Sequence, residues 1–416
     1  MSKVVINGGK VLNGEIKING AKNSVVALIC ASVLCDEVVY LDSVPNISDV
    51  TTLIKILNKI GCKTKFNDGE LMIDPRGVKN IEIPEDLASQ LRASYYFLGS
   101  FIGRFNNVDF GLPGGCNLGS RPIDLHLFGF ERLNCNIEQR DGKYIISTDH
   151  LIGNKIFLDF ASVGATLNIM IAATKATGLT VIENAAEEPE IVDVANFLNS
   201  MGAKVRGAGT SIIRIEGVDS LSGSRHQVVP DRIQIGTYII IGALCCEKLL
   251  IKNVIGLHLD ALLSKLDYAG VRFELLGDDI VVYGRGKYRS FDVTTQTYPG
   301  FPTDLQQPLT TFLTQCEGIG TITETIYTER FRHVDYLNSM GANIKYGNGS
   351  AIVMGQTKLI ANKVIATDLR ASSALVIAGL LAEGETTILE ISHLIRGYDN
   401  VISNLKSIGA DIEYFE

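Results

Sequence analysis

The chain has 416 residues, more than one ordinary hydrophobic core supports, so we expect two domains. Its formal net charge is −8 and it has no Lys/Arg-rich run, which argues against a protein that wraps nucleic acid. The first residues, MSKVVINGGKVLNGEI, lack the apolar core of a signal peptide, and the longest apolar stretch, near Tyr238–Cys246, is too short to span a membrane. We therefore expect a cytoplasmic protein without nucleic-acid or membrane partners, whose anionic ligands are small.

A helix-end signal recurs six times along the chain, as LNKIGCK, ERLNCNI, LNSMGAKV, LDYAGVRF, LNSMGANI and LKSIGADI. The aligned positions, spaced 68 to 73 residues apart, are Gly61, Asn134, Gly202, Gly270, Gly341 and Gly409. Gly and Asn are the residues best suited to a left-handed helix C-cap, so all six are predicted caps. A period of this length predicts six related structural units.

A second pattern recurs at about the same spacing along the chain. Predominantly apolar helices are predicted to open at Lys22, Arg92, Val163, Arg232, Asp304 and Arg370. Several are apolar or small on nearly every face and should be buried, whereas the helices that end at the caps carry a polar stripe and should lie outside.

Each unit reads as strand, buried helix, strand, outer helix and two further strands. In the first unit these segments are EIKING, KNSVVALICASVL, VVYLDS, DVTTLIKILNKIG, KTKF and LMID. Turn signals separate the last two strands at Asn67–Gly69, Asp141–Gly142, Gly207–Gly209, Gly277–Asp279 and Gly347–Gly349. The sixth unit ends at ADIEYFE without its final strand, which KVVING near the N-terminus would supply.

We therefore predict an inside-out α/β barrel architecture, in which two domains each hold three βαβαββ units as a sixfold pseudo-repeat. One domain is continuous, residues 22–229, and the other is split, residues 1–21 and 230–416. Equivalent helix starts would cluster at one end of each domain, which predicts an active site in the cleft between the domains. The repeat by itself is explained by packing and predicts no chemistry.

Charged residues stand at several predicted helix starts. Helix N-termini attract anions, and a cation there is unfavourable without an anion to offset it. The cations Lys22, Arg92, Arg232 and Arg370 therefore predict an anionic ligand, with solvated surface charge as the alternative. Asp304, of opposite sign, should stay ionised and could accept a proton from a hydroxyl, although an ordinary helix cap is the alternative.

The second unit carries an unusual insert, DFGLPGGCNLGSRPIDLH, whose glycines predict a moving lid. Cys116 lies within it, and nearby Arg121 or an anion site would favour its thiolate or let it deliver a proton. The alternatives are an incidental loop thiol and a nucleophilic pair with His126, for which no third, orienting group is evident.

The other cysteines carry little signal. None of the eight forms a C-x-x-C pair or lies near a histidine at metal-ligand spacing, so metal and disulfide interpretations are both weak. Except for Cys116, we expect them to be small buried apolar residues.

Ten segments together are highly specific: GAKNS, LRAS, PGGCNLGSRPIDLHL, SVGAT, ENAAEEPEIVD, PDRIQIGT, FPTDLQQ, ERF, ATDLRAS and RGYD. Over essentially its full length the chain resembles the UDP-N-acetylglucosamine enolpyruvyl transferases. The resemblance implies transfer of enolpyruvyl from phosphoenolpyruvate to the 3′-hydroxyl of UDP-N-acetylglucosamine, with release of phosphate by addition and elimination. It implies the first committed step of peptidoglycan synthesis, no metal or organic cofactor, and no obligate protein partner.

The resemblance also implies residue roles. Cys116 is the expected proton donor to the methylene carbon and Asp304 the expected base for the sugar hydroxyl. The residues implied to hold phosphoenolpyruvate are Lys22, Arg121 and Arg396, of which Lys22 and Arg396 also count as catalytic. Those implied to add positive charge are Arg92, Arg330 and Arg370. Those implied around the sugar nucleotide are Asn23, Arg121, Pro122, Ile123, Asp124, Leu125, Ser162, Val163, Gly164, Asp304 and Ile326.

Tyr298, Thr328 and Ser48 depart from residues seen in members of this family, which bears on rate and affinity but not on the reaction class. Two alternatives stay open. An enolpyruvyl transferase with a different acceptor is disfavoured by the PGGC and RPIDLH segments. A non-catalytic sugar-nucleotide binder is disfavoured because a binder needs neither an acid nor a base.

The antibiotic fosfomycin alkylates the cysteine in the lid of this family. We therefore predict that fosfomycin inactivates this protein by alkylating Cys116. Peptide mass spectrometry of the inactivated protein should find the adduct on Cys116 and on none of the other seven cysteines. An adduct on another cysteine would contradict this prediction.

Overall fold

The computed structural model describes residues 2–81, 92–111 and 123–416, with backbone alone at residues 92 and 93. Its α-helices are α1 (Lys22–Ala31), α2 (Ser48–Lys59), α3 (Phe97–Phe105), α4 (Asp124–Arg132), α5 (Val163–Ala173), α6 (Pro189–Ser200), α7 (Arg232–Cys245), α8 (Asp260–Ala269), α9 (Gln306–Thr314), α10 (His333–Ser339), α11 (Leu369–Leu381), α12 (Ser392–Gly397) and α13 (Val401–Ser407). Its β-strands are β1 (Lys3–Gly8), β2 (Leu12–Lys17), β3 (Val39–Asp42), β4 (Lys63–Asn67), β5 (Glu70–Asp74), β6 (Asn107–Gly111), β7 (Asn136–Arg140), β8 (Lys143–Ser147), β9 (Lys155–Phe157), β10 (Leu179–Glu183), β11 (Lys204–Arg206), β12 (Ile212–Glu216), β13 (Arg225–Gln227), β14 (Cys246–Lys252), β15 (Arg272–Leu276), β16 (Asp279–Tyr283), β17 (Val293–Thr294), β18 (Ile319–Thr323), β19 (Ile344–Gly347), β20 (Ser350–Met354), β21 (Lys363–Ile365), β22 (Gly384–Leu389) and β23 (Asp411–Phe415).

The described chain divides into two compact units. We call the described residues within 20–229 the continuous unit, and residues 2–19 with 230–416 the split unit. Each unit has its own hydrophobic core, built from helices and the inner faces of strands. None of the helices in the described ranges is both long enough and apolar enough to cross a membrane.

The sheets mix parallel and antiparallel strands. The continuous unit holds the sheets β13-β3-β5-β4, β11-β12-β10-β9 and β6-β8-β7. The split unit holds β15-β16-β14-β2, β17-β18-β20-β19 and β21-β22-β1-β23. In each four-stranded sheet one edge pair is parallel and the other pairs are antiparallel. The class is therefore mixed α/β, while none of the sheets formed by the described strands closes on itself as a barrel.

One strand pairing crosses the order of the predicted repeat. EIKING, which overlaps β2 at residues 15–17, belongs to the predicted split domain, and β2 pairs with β14 in the split unit. The parallel partner of β3 is instead β13. Both β2 and β13 precede a buried helix, and each pairs with the strand that follows the other's helix. The order of elements in a repeat does not distinguish these two pairings.

The N-terminal strand completes the sheet that contains the C-terminal strand, as predicted. β1 lies between β22 and β23 and is antiparallel to both, with Ile6 opposite Thr386 on one side and Ile412 on the other. Val4 and Ile6 are fully buried in the core of the split unit.

The apolar helices are buried, which confirms the prediction from their composition. Every residue of α7 and α9 is buried, and in the split unit α7, α9 and α11 pack against one another. In the continuous unit α3 packs against α1 and α5, and a Cβ atom at Gly99 would lie only 2.5 Å from the carbonyl oxygen of Asn168. Two predicted starts differ, because 3₁₀-helical turns at Arg92–Tyr96 and Thr303–Leu305 precede α3 and α9.

All six predicted caps adopt the left-handed conformation. Asn134 has a φ of 74°, and the five glycines have φ values between 95° and 106°. At each cap the next residue's N–H donates to a carbonyl five residues back, as from Cys135 to Phe130. This bond is the signature of the Schellman motif, so Asn134 serves the same purpose as the glycines.

The turn signals and the cysteines also behave as predicted. The pairs β4/β5, β7/β8, β11/β12, β15/β16 and β19/β20 are antiparallel hairpins joined at the predicted turns. The seven cysteines of the described residues are buried and unpaired. Burial raises the pKa of Cys62, Cys135, Cys246 and Cys316 to about 12, which makes these thiols poor nucleophiles.

The position of β1 can be tested with one substitution made at two sites. Val4→Ala removes buried methyl groups from the core and should lower the free energy of unfolding by about 2 kcal/mol. Val11→Ala, at a side chain that is 49% exposed, is the matched control and should change it little. Urea denaturation measures both, and equal effects would contradict the pairing of β1.

Candidate active site

Asp304 lies between two buried arginines in the split unit. Its Oδ1 accepts a hydrogen bond from Nη1 of Arg330, and its Oδ2 accepts one from Nη2 of Arg370, each at 2.8 Å. Both arginine side chains are 4% exposed, whereas that of Asp304 is 25% exposed. The carboxylate thus binds guanidinium groups rather than the free N–H groups of α9, which disfavours the helix-cap alternative.

These contacts fix the charge of Asp304. Burial by itself would raise the pKa of this carboxyl, but the guanidinium groups of Arg370 and Arg330 outweigh burial and hold the pKa far below its ordinary range. Asp304 is therefore ionised at neutral pH, as the sequence predicted. The same ion pairs make it a weak base while both arginines stay in contact.

The start of α11 carries its own carboxylate. Oδ1 of Asp368 accepts from the N–H groups of Arg370 and Ala371, at 2.9 and 3.0 Å, and so caps the helix. This buried anion offsets the positive charge at the helix N-terminus. Arg370 thus has two carboxylates near it, Asp368 through its backbone and Asp304 through its side chain.

The cations at two other helix starts are offset in a similar way. Nζ of Lys22 lies 3.1 Å from Oδ2 of Asp49. Asp231 caps α7 one residue before Arg232, whose guanidinium carbon lies 5.4 Å from the ring centre of Tyr298. Arg232 is buried, so the solvated-charge alternative is wrong for it. Because the protein supplies these anions, the helix-start cations do not by themselves require a bound ligand.

A buried histidine lies beyond Asp368. Nε2 of Gln307 is 3.3 Å from Oδ2 of Asp368 and 3.4 Å from Nδ1 of His333, and all three residues are almost fully buried. Burial lowers the pKa of His333 well below its ordinary value, an effect that the nearby Asp368 opposes and Arg330 reinforces. His333 is therefore neutral in the folded protein at neutral pH.

Glu324 joins the chain segments on either side of Asp304. Its carboxylate accepts hydrogen bonds from the hydroxyls of Thr295 and Thr303 at 2.8 and 2.9 Å. It also accepts from the backbone N–H groups of Ile326 and Tyr327 at 2.9 and 3.0 Å. The half-buried Ile326, implied near the sugar nucleotide, is therefore held through its backbone.

In the continuous unit, α1 begins with Lys22 and Asn23, both partly exposed. The next residue, Ser24, donates its hydroxyl to Asp193, whose other oxygen lies 2.7 Å from Nε2 of His226. These buried contacts anchor the first turn of α1, which carries the two predicted site residues.

The start of α5 brings three further predicted residues together. Ser162 caps the helix by accepting from the N–H of Ala165 at 3.3 Å, and Val163 and Gly164 form its first turn. A Cβ atom at Gly164 would lie 2.8 Å from Oη of Tyr95 and 3.0 Å from Cε1 of His126. A larger residue here would therefore displace the side chains of Tyr95 and His126.

The remaining predicted residues lie at the start of α4, in α12 or outside the described residues. Ile123 is buried, while Asp124 and Leu125 begin α4. Arg396 lies half-buried in α12. Cys116, Arg121 and Pro122 lie outside the described residues, as does the side chain of Arg92.

The sequence interpretation missed Glu324, Thr303, Asp368 and His333. Thr303 directly precedes Asp304 and Asp368 lies two residues before Arg370, so their positions offered a signal. Glu324 and His333 offered none, because only the folded chain brings them near Asp304 and Asp368.

Known proteins are similar to this chain over nearly its full length. The family model for EPSP synthase (3-phosphoshikimate 1-carboxyvinyltransferase) matches residues 6–405. UDP-N-acetylglucosamine 1-carboxyvinyltransferase 1 of Streptococcus agalactiae is 51% identical over 418 residues, which cover 100% of both chains. The chain therefore belongs to the family of UDP-N-acetylglucosamine 1-carboxyvinyltransferases, which is part of the EPSP synthase family. The resemblance predicted from its sequence segments is thereby confirmed.

Other enolpyruvyl transferases are similar to this chain in sequence or in fold. UDP-N-acetylglucosamine 1-carboxyvinyltransferase 2 of Bacillus cereus is 50% identical over 413 residues, 99% of this chain and 96% of that protein. The crystal structure of the enolpyruvyl transferase NikO from Streptomyces tendae has a TM-score of 0.92 at 25% identity, covering 100% of this chain and 99% of that chain. EPSP synthase from Acinetobacter baumannii, at 16% identity and a TM-score of 0.78, shares the fold.

The neutral state of His333 predicts a pH dependence of stability. Since the folded-state pKa is lowered, the unfolded chain binds a proton that the folded chain does not, and stability falls as pH decreases below about 6.5. His333→Gln should flatten this decline by up to about 1.4 kcal/mol per pH unit. His150→Gln, at an exposed histidine, is the control and should leave the decline unchanged. Urea titrations from pH 7.5 to 5 measure the slopes, and identical slopes in all three proteins would refute the prediction.

Proposed function

We propose that this protein transfers the enolpyruvyl group of phosphoenolpyruvate to the 3′-hydroxyl of UDP-N-acetylglucosamine and releases phosphate. The observation that carries this proposal is identity of 50–51% over the whole chain to enzymes named UDP-N-acetylglucosamine 1-carboxyvinyltransferase. The protein is an enzyme of that type and acts in peptidoglycan synthesis. Its proposed location is the cytoplasm, and its proposed partners are the two small-molecule substrates.

The proposed chemistry needs one acid and one base. Cys116 delivers a proton to C3 of phosphoenolpyruvate, which leaves C2 cation-like. The acceptor oxygen attacks C2 while its proton passes to Asp304. The resulting ketal loses phosphate from C2 and a proton from C3, which restores the double bond and releases the enolpyruvyl ether.

The anionic groups of phosphoenolpyruvate require several cations. We assign Lys22, Arg121 and Arg396 to hold its phosphate and carboxylate, since Arg binds both groups by paired hydrogen bonds. Arg92, Arg330 and Arg370 are assigned to add positive charge around the reacting atoms.

The ion pairs of Asp304 bear on how it acts as a base. A carboxylate held by both Arg330 and Arg370 has too low a pKa to take a proton readily from a hydroxyl. An incoming phosphate or carboxylate competes for the same guanidinium groups. When Arg370 moves onto the substrate, its ion pair weakens and the pKa of Asp304 rises, so substrate binding strengthens the base.

The sugar nucleotide is assigned to two sets of residues. Asn23 and Ile326 are placed near the sugar. The nucleotide is assigned to Arg121, Pro122, Ile123, Asp124 and Leu125, and the diphosphate to Ser162, Val163 and Gly164. The free N–H groups at the start of α5 suit a diphosphate.

We further propose that the two units are the predicted domains, and that each is an inside-out α/β barrel of three βαβαββ units. Two observations support the sixfold repeat. Five sheets share one order of parallel and antiparallel pairs. The six helix caps share one conformation and one backbone hydrogen bond.

Acceptor-dependent phosphate release tests the function. Purified protein with phosphoenolpyruvate should release phosphate only when UDP-N-acetylglucosamine is present. Cys116→Ser and Asp304→Ala should each lower kcat by at least about a hundredfold, the usual scale for loss of a positioned acid or base. Asp278→Ala, at an exposed aspartate of the split unit, is the control and should retain full activity.

Three outcomes are informative. Phosphate release that does not depend on this acceptor would overturn the proposed function. Release with another hydroxyl acceptor alone would indicate a different enolpyruvyl transferase. Full activity of Asp304→Ala would leave the reaction class intact but remove the proposed base.

A further inference from the structure

Glu324 is a buried carboxylate whose two oxygens have separate tasks. It is 2% exposed. Oε1 accepts from the hydroxyl of Thr295 and from the N–H groups of Ile326 and Tyr327. Oε2 accepts from the hydroxyl of Thr303. One oxygen therefore anchors the segment that leads to Arg330, and the other reaches the residue before Asp304.

The hydrogen bonds around Thr303 run in one direction. Nη1 of Arg330 has two hydrogens, and it donates to Asp304 at 2.8 Å and to Oγ1 of Thr303 at 2.9 Å. A guanidinium group cannot accept a hydrogen bond, so the oxygen of Thr303 is the acceptor. Its own proton then points to Glu324, which as a carboxylate can only accept. The order is Arg330 to Thr303 to Glu324.

This arrangement fixes both members of an ion pair. Thr303 precedes Asp304 in the same 3₁₀-helical turn, so the bond to Glu324 restrains the backbone that carries Asp304. The same hydroxyl restrains the guanidinium of Arg330. A partner that stays in place when the charge of Asp304 changes preserves the geometry of the site.

We propose that Thr303 and Glu324 are positioning residues for the acceptor base, holding Arg330 and thereby Asp304 in the orientation that takes the acceptor's proton. This inference rests on the proposed function, in which Asp304 is that base. When Asp304 becomes neutral, its attraction to Arg330 weakens, but Arg330 keeps its hydrogen bond to Thr303. The arginine therefore stays beside Asp304 and reforms the ion pair when the proton leaves.

A purely structural role for Glu324 makes a different prediction, and Thr295 separates the two. The hydroxyl of Thr295 also donates to Glu324 and accepts from the N–H of Thr325 at 2.9 Å. Thr295→Val therefore removes a comparable hydrogen bond from the same carboxylate. It leaves intact the hydrogen bonds from Arg330 to Thr303 and from Thr303 to Glu324.

The experiment compares Thr303→Val, Thr303→Ser and Thr295→Val in the acceptor-dependent phosphate assay. Thr303→Val should lower kcat by about tenfold or more with little change in KM, because misplacing a reacting group by a fraction of an ångström affects the chemical step. Thr303→Ser keeps the hydroxyl and should restore most of the lost kcat. Thr295→Val should keep kcat near the wild-type value. Thermal unfolding midpoints should fall by similar amounts in the two valine variants.

Glu324→Gln tests the direction of the hydrogen bonds. Two backbone N–H groups and the hydroxyl of Thr295 require an oxygen at the position of Oε1, so the amide nitrogen must face Thr303. That nitrogen donates and cannot accept the proton of Thr303. The oxygen of Thr303 can still accept from Arg330, but its proton loses the acceptor that fixes its direction. The variant should therefore lower kcat, but by less than Thr303→Val, although it is nearly the same size as wild type.

The outcomes are distinct. Equal kcat values for Thr303→Val and wild type, or equal losses in Thr303→Val and Thr295→Val, would overturn the positioning role while leaving the proposed function in place. No rescue by Thr303→Ser would also overturn it. Absence of acceptor-dependent phosphate release in the wild-type protein, measured beside the variants, would overturn the proposed function and this inference with it.

Discussion

A helix that is buried on nearly every face can carry charge only at its ends. This constraint governs α1, α7 and α11, each of which begins at or next to a cation and continues with apolar or small residues. Buried cations at helix N-termini are unfavourable unless anions lie close by. The fold meets this requirement with Asp49, Asp231, Asp368 and Asp304, each belonging to the same unit as the cation that it offsets.

The resulting charge balance matters for the proposed chemistry. Arg330 and Arg370 lie near three carboxylates, which they contact directly or through one intervening group: those of Asp304, Asp368 and Glu324. Two positive and three negative charges give this cluster a net formal charge of −1. Buried ion pairs contribute little net stability, whereas removing one partner costs about 3–5 kcal/mol. Such a cluster is therefore better explained by what it does to an incoming anion. Because its arginines are already neutralised, an anionic substrate must displace a carboxylate or bind to further cations of the protein.

Local signals in the sequence predicted much of the fold. The caps, hairpin turns and buried helices depend on residues near one another in the chain, and Asn134 was recognised because left-handed backbone favours the same residue types everywhere. The pairing of β2 with β14 and of β13 with β3 was not predicted, because β2 and β13 are equivalent in local pattern and differ only in distant partners. For the site, Asp304 and Arg370 were predicted from helix position and family resemblance, and the structure brings them into contact. Glu324 and His333 were not, because their importance comes from contacts that only the folded chain creates.

The placement of β1 has a consequence for the order in which the ribosome makes this protein. The strand at residues 3–8 emerges before both of its partners, which begin at residues 384 and 411. At about 5–20 residues per second, the interval before the first partner appears is roughly 20 to 75 s. During that time β1 has left the ribosomal exit tunnel but has no partner strand to pair with. Residues 20–229 have by then been synthesised and can fold. Nascent chains of this protein therefore have a long window in which a chaperone that recognises extended apolar segments can bind β1.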